Sequence, residues 1–262
     1  MNDLRAAILR GARAVPRPGS AAFGTRPGDG LAFSQLRAYV EGDDPRRIDH
    51  AATARAGALQ TRVYREETAL VLAAILDASA SMGVGRHRPL LHAGKEALRT
   101  WFEIAEHDDA TARIVDARVI RDRRAVPLIE ATRTDPLAAA VTIALHALPR
   151  GASLLVLTDG FDPVDEALLA QAGRRFDATL LLARDPWCDD LALRGVVRVR
   201  DSETQAVRSL YIGERERRRY RAASLARTQL VQGRYRAAGW RTGTLDERDG
   251  RASLFRAFGL PA

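Results

Sequence analysis

The sequence is short of cysteine, of lysine and of long apolar runs, and each shortage excludes something. Cys188 stands alone, so no internal disulfide framework can form, and a reducing compartment, the cytoplasm, is expected. No stretch reaches the ~18 consecutive apolar residues of a membrane-spanning helix. The opening MNDLRAAILRGARAVPRPG lacks the apolar core of a signal peptide and reads as an amphipathic helix that caps the core. Lys95 is the only lysine among 41 basic residues. Arginine in place of lysine, beside abundant alanine and glycine, fits GC-rich coding, so the formal charge of +8 is a poor pointer to nucleic acid. With 262 residues and 46% of them hydrophobic, the chain can bury one large core or two small ones.

Three segments are expected. Residues 1–67 combine the first helix with turn-rich, charged sequence, in which LAFSQLRAYV and LQTRVYRE alternate like half-exposed strands. Residues 68–185 alternate strand and helix. ALVLAAILD, ASLLVLTD and FDATLLLARD read as buried strands, and ATARIVDARVI as a strand or hairpin. RPLLHAGKEALRTWFEIAEH, DPLAAAVTIALHAL (opened by Asp135 and Pro136) and PVDEALLAQAGRR read as helices. Uninterrupted apolar strands separated by helices imply an α/β fold, its mainly parallel sheet covered by helices on both faces. Residues 186–262 add a hairpin (GVVRVRDSETQAVRSLYI), a long charged helix from about Glu214 to Ala238 and a last helix around Phe255, packed on the core.

The apolar run Ala69 to Leu76 leads straight into Asp77, Ser79 and Ser81. Alternate residues of an extended loop share a face, so these three oxygen-bearing side chains can converge. Asp159 follows the second buried strand in the same way, and ligands of such sheets bind beyond the carboxyl ends of the strands. Carboxylate and hydroxyl oxygens suit a hard cation such as Mg²⁺. Thr132 or Thr134, from ATRTDPL, would add another oxygen. The competing reading is that Ser79, Ser81 and Asp159 merely cap the helices that follow them.

Asp77, Ser79, Ser81 and Asp159 resemble the metal-ion-dependent adhesion site of von Willebrand factor A domains, a Rossmann-type fold. The resemblance implies direct ligation of Mg²⁺ or Mn²⁺ by Ser79, Ser81 and Thr134, with Asp77 and Asp159 acting mainly through bound waters. Arg133 stands where the family has glycine before its threonine. The open coordination position is one that a partner's carboxylate normally fills.

A longer stretch, FSQLRAYVEGDDPRRIDHAATARAGALQTRVYREE, resembles the signature of the domain of unknown function 58 family. Members carry a phrase close to E-F-x-x-L-R-x-Y-x-P-G-D-D-x-R-x-I-D-W before a von Willebrand-type domain. Leu36, Arg37, Tyr39, Gly42, Asp43, Asp44, Arg47, Ile48 and Asp49 match it, whereas Ala32, Glu41 and His50 depart from it. LARDPWCDDLALRGVVRVRDSETQ is similar to the family's segment after the last core strand, so the resemblance runs from about Gly19 to the C-terminus. It implies a short form without the family's membrane helices, and a protein partner: a MoxR-type AAA ATPase or its client. From the residues alone, GDDPRRID is a tight turn in which Arg46 and Arg47 pair with Asp43, Asp44 or Asp49. It is expected to act as a structural clasp on the main domain, with a partner-binding loop as the alternative.

Other chemistries find less support. GERERRRYRAASLARTQLVQGRYRAAG carries arginine on every helical face, with only Tyr220 and Tyr235 as base readers. It is expected to be a solvated helix packed by Leu225 and Leu230. None of the five histidines is spaced to serve Ser79 or Ser81 as a base, and no nucleophile elbow or phosphate-binding loop occurs. No catalytic residue is therefore assigned. The expected function is divalent-cation-dependent protein binding. The alternatives are a Mg²⁺-dependent phosphoester hydrolase using the same oxygens, which generally wants more carboxylates, and a basic nucleic-acid module.

Overall fold

The computed structural model describes residues 1–14, 27–65, 70–106, 110–131, 136–188 and 191–261. The chain divides into two compact units, Arg17–Ala69 on the one hand and Met1–Pro16 with Leu70–Ala262 on the other.

The smaller unit is an antiparallel pair, β1 (Pro27–Ala38) and β2 (Gln60–Arg65), in which Leu36 lies opposite Arg62 and Ala38 opposite Gln60. The GDDPRRID turn joins them. Gly42 takes φ +102°, a backbone conformation open to glycine, and Asp44 caps a 3₁₀ turn, Pro45–Arg47, by accepting from the Arg46 amide. A short helix, α2 (His50–Ala56), follows, capped by Asp49. The carboxylates of this turn choose other arginines than those expected. Asp43 pairs with Arg37 at 2.6 Å and Asp49 with Arg62 at 2.9 Å, because the paired strands bring those guanidinium groups alongside, whereas Arg46 and Arg47 lie within the 3₁₀ turn itself.

The larger unit is built on a six-stranded sheet. Its strands are β3 (Val71–Leu76), β4 (Thr111–Val115), β5 (Ile120–Asp122), β6 (Ser153–Thr158), β7 (Asp177–Ala183) and β10 (Arg241–Leu245), in the order β10-β7-β6-β3-β4-β5. All neighbours are parallel except β5, which returns antiparallel to β4 as the hairpin of ATARIVDARVI. The period of two sends Leu72, Ala74 and Leu76 of β3 to one face and Ala73 and Ile75 to the other. On the first face lie α1 (Asn2–Ala14, through Leu4 and Ile8), α3 (Leu90–Glu106, through Leu98, Trp101 and Ile104) and α7 (Gly250–Ala257, through Leu254). On the second lie α4 (Leu137–Ala147), α5 (Glu166–Arg175) and the end of α6 (Glu214–Ala237), through Val141, Leu169 and Tyr235. Burying each such side chain contributes about 1.5–3 kcal/mol, which makes these two layers the main source of stability.

Two features differ from expectation. The helix α6 packs through Tyr235, with Val231 half-buried, whereas Leu225 and Leu230 are 45% and 66% exposed. The strand β10 joins the sheet although its sequence, RTGTL, carries little apolar signal. A Cβ on Gly243 would stand 2.4 Å from that of Ala257, so the glycine lets α7 lie directly on this edge strand. A separate antiparallel pair, β8 (Gly195–Arg200) and β9 (Val207–Ile212), forms the expected hairpin. No helix among the described residues is long and apolar enough to cross a membrane.

Candidate metal centre

The chain leaves β3 for α3 on one face and β4, and reaches β6 through α4 on the other face, so connections diverge on either side of the β3–β6 pair. This is the topological switch point, where a parallel sheet leaves a crevice at its carboxyl edge. Asp77 ends β3 and Asp159 ends β6, one on each side of that crevice.

The loop after β3 is held in an extended, converging form by its own polar groups. Asp77 N donates to Leu157 O at 2.8 Å, continuing the ladder, and Asp77 Oδ1 accepts from the Ser79 amide at 2.9 Å. The Ser79 and Ser81 hydroxyls lie 3.0 Å apart. Ser79 precedes the 3₁₀ turn Ala80–Gly83 but makes no side-chain capping bond there, and α5 is capped by Asp165, not by Asp159. The capping alternative therefore does not account for these side chains. Their oxygens face one another instead of spending themselves on helix ends.

Asp159 is 5% exposed. Its Oδ1 accepts from the Phe161 amide at 3.0 Å, while its Oδ2 is buried and receives no hydrogen bond of ordinary geometry. Burial pushes its pKa up; the Ser81 hydroxyl and the Phe161 amide pull it down, the Asp77 charge raises it and Arg227 lowers it. The Ser81 contribution places that hydroxyl beside the carboxylate even though no well-formed bond joins them. A buried carboxylate oxygen without a donor, next to two hydroxyls and a second carboxylate, fits a hard cation by donor chemistry. Among the described residues no group of three or more His, Cys, Asp or Glu could hold a metal, so the oxygens come from a mixed carboxylate and hydroxyl set. Thr132 and Thr134 lie outside the described residues.

Three residues that sequence reasoning did not single out shape the site. Thr158, fully buried, donates its hydroxyl to Asp77 Oδ2 at 2.7 Å and accepts from the Gly160 amide at 3.0 Å. Gly160 takes φ +71°, and a Cβ there would meet Leu182 Cδ1 at 2.9 Å, so the T-D-G triplet itself was the available signal. Asp162 Oδ2 accepts from the Leu137 amide at 2.5 Å, tying the loop after β6 to the start of α4. Glu203, in the tip between β8 and β9, accepts from the Ser81 amide at 2.8 Å through Oε1. On the rim, the Arg227 guanidinium stacks 3.6 Å over the ring of Phe161, which is 67% exposed.

The signature residues Arg37, Tyr39, Gly42, Asp43, Asp44, Arg47 and Asp49 all belong to the smaller unit. Tyr39 N donates to Leu59 O at 2.9 Å and Arg47 N to Asp44 O at 3.0 Å, so much of the phrase is engaged in the turn's own bonding. The Arg37 guanidinium holds the Asp43 carboxyl below its ordinary range. The Ala52 amide, and after it Arg62, does the same for Asp49.

No curated protein matches the chain. Among solved structures, an aerotolerance-related membrane protein from Bacteroides fragilis NCTC 9343, carrying multiple mutations to serines, aligns at 12% identity. The alignment covers 63% of this chain and 99% of that one at a TM-score of 0.37, a likeness too low to establish a shared fold. Residues 35–90, a stretch that holds the whole signature phrase together with Asp77, Ser79 and Ser81, match the family described as Protein of unknown function DUF58.

Proposed function

We propose that the chain is a von Willebrand factor A-like module that binds a protein partner through a divalent cation, Mg²⁺ or Mn²⁺. Ser79, Ser81 and Thr134 would hold the ion directly, and Asp77 and Asp159 would act mainly through bound waters. The observation that carries this is the unpartnered, buried Asp159 Oδ2 beside the Ser81 hydroxyl, across the switch-point crevice from Asp77. Two carboxylates held together in a dry crevice repel, and an ion there would offset that repulsion and offer a coordination position to an outside carboxylate. With two carboxylates and no histidine or lysine among the neighbours named above, the donor set suits binding better than phosphoryl chemistry. The match to the DUF58 family supports this reading, and the resemblance drawn from the sequence makes a MoxR-type AAA ATPase, or its client, the partner of choice.

The test is affinity capture with the purified chain as bait in three buffers: Mg²⁺, EDTA, and Mg²⁺ with high monovalent salt. The expected result is an AAA ATPase or its client captured with Mg²⁺, lost with EDTA, and lost with the Ser79→Ala/Ser81→Ala bait. Nucleic acid released by salt but not by EDTA would point instead to counterion-driven binding. A partner set indifferent to EDTA and to the serine substitutions contradicts the adhesion mechanism.

A further inference from the structure

Glu203 reaches the Asp77 loop from far away in the chain. It sits in the tip of the β8–β9 hairpin and lies 122 residues from Ser81, whose amide it accepts at 2.8 Å. The tip that presents it is stiffened by its own bonding. Asp201 Oδ1 accepts from the amides of Glu203 at 2.9 Å and Thr204 at 2.8 Å, and the Gln205 amide donates to Asp201 O at 3.0 Å. Those amides, Thr204 foremost, keep the Asp201 carboxyl below its ordinary range. Gln205 closes the turn at φ 60°, with its side chain bonded to Ser202 O. Glu203 is therefore held out on a built turn and is no wandering surface chain.

Its position is electrostatically odd. The carboxylate is brought to a loop that already contributes Asp77, facing Asp159, and like charges so close are costly unless a cation lies among them. One backbone amide uses only Oε1, and Oε2 makes no hydrogen bond or ion pair among the described residues. By standard bond lengths the amide nitrogen and hydroxyl of one serine are roughly 3 Å apart, so a carboxylate on the Ser81 amide stands one ligand shell from the Ser81 hydroxyl.

Resting on the metal-site reading above, we propose that Glu203 is this chain's own carboxylate ligand. It completes the coordination of the cation held at Asp77, Ser79, Ser81 and Asp159, in the position otherwise open to a partner. The hairpin is then a built-in competitor: an outside carboxylate has to displace Glu203 before it can reach the ion.

The experiment uses the full chain, Mn²⁺ as the only divalent ion, calorimetry for affinity and water-proton relaxation for the waters on bound Mn²⁺. Glu203→Gln keeps an acceptor for the Ser81 amide and removes the charge; Glu203→Ala removes the ligand altogether. Both lie on an exposed turn, so the fold stays intact. The expected result is roughly tenfold weaker Mn²⁺ binding by Glu203→Gln, and faster relaxation per bound ion in Glu203→Ala as water takes the vacated position. Wild-type affinity and relaxation in both variants would overturn the proposal while leaving the metal site standing, with Glu203 a mere acceptor for an amide. Weaker binding with unchanged relaxation would also overturn it, since the carboxylate then acts through space. Failure of the wild-type chain to bind Mn²⁺ would remove the metal site, and the role of Glu203 with it.

Discussion

The Thr158 hydroxyl donates to Asp77 Oδ2 at 2.7 Å across 81 residues of sequence, and accepts from the Gly160 amide at 3.0 Å. One buried side chain thus joins the ends of β3 and β6 and orients the carboxylate that opens the candidate site. Its own oxygen is saturated by these two bonds, which suits it to positioning Asp77.

Thr158→Val keeps the volume and removes the hydroxyl. It should lower unfolding free energy by about 1–2 kcal/mol, because a buried carboxylate oxygen and an amide lose their partner together. Metal affinity should fall roughly tenfold, as it does when a supporting hydrogen bond to a ligand is lost. Urea unfolding and a Mn²⁺ titration of the same variant check the two effects. Lost stability with unchanged affinity would mark Thr158 as a strut only.

Asp159→Asn tests the buried charge. Without metal, wild-type protein carries the cost of a carboxylate that burial resists ionising. The amide keeps the Oδ1 acceptor for Phe161 and removes the charge, so the metal-free variant should melt roughly 2–4 °C higher. The sign with pH follows from the raised folded value. The cost is fully present above that value and disappears as pH falls through it, so the gap between variant and wild type should narrow toward acid pH. A variant that melts lower at neutral pH would show that the carboxylate is stabilising without an ion.

Within the smaller unit, Asp49 caps α2 through the Ala52 amide at 2.8 Å and pairs with the more exposed Arg62. Hydrogen exchange should report the difference. Asp49→Ala should speed exchange of the α2 amides about fivefold, whereas Arg62→Ala should change it by no more than about twofold. Because the cap lowers the Asp49 pKa, protection in α2 should hold at neutral pH and be lost only as pH falls through that lowered value. Wild-type exchange in Asp49→Ala, combined with loss of a captured partner, would move the signature from structure to interface.

The sequence made legible what local pattern dictates. The apolar runs of β3, β6 and β7, the D-x-S-x-S loop and the D-G after β6 all announced themselves, because burial on both faces and a strand-end carboxylate leave a local mark. Features that depend on distant residues stayed hidden. Thr158 is one more residue of an apolar-looking strand until the sheet sets it against Asp77, and Glu203 is an ordinary turn residue until the hairpin meets Ser81. The Arg37–Asp43 and Arg62–Asp49 pairs follow from strand register, which composition does not encode. Edge position explains the rest: β10 is paired on one side only and covered by α7, so Thr and Gly suffice where a central strand needs Val or Leu. In α6, arginine-rich sequence gave no apolar stripe, and the buried contact fell to Tyr235 near its end.

The central claim is that Asp77, Ser79, Ser81 and Asp159 form a cation site, and direct titration tests it most simply. Mn²⁺ and Mg²⁺ are titrated calorimetrically into the wild-type chain and into Asp77→Ala, with circular dichroism confirming that both are folded. The account predicts saturable binding of one ion by wild type and none by Asp77→Ala in the same concentration range. Equal binding by the two proteins, or none by wild type, would contradict it.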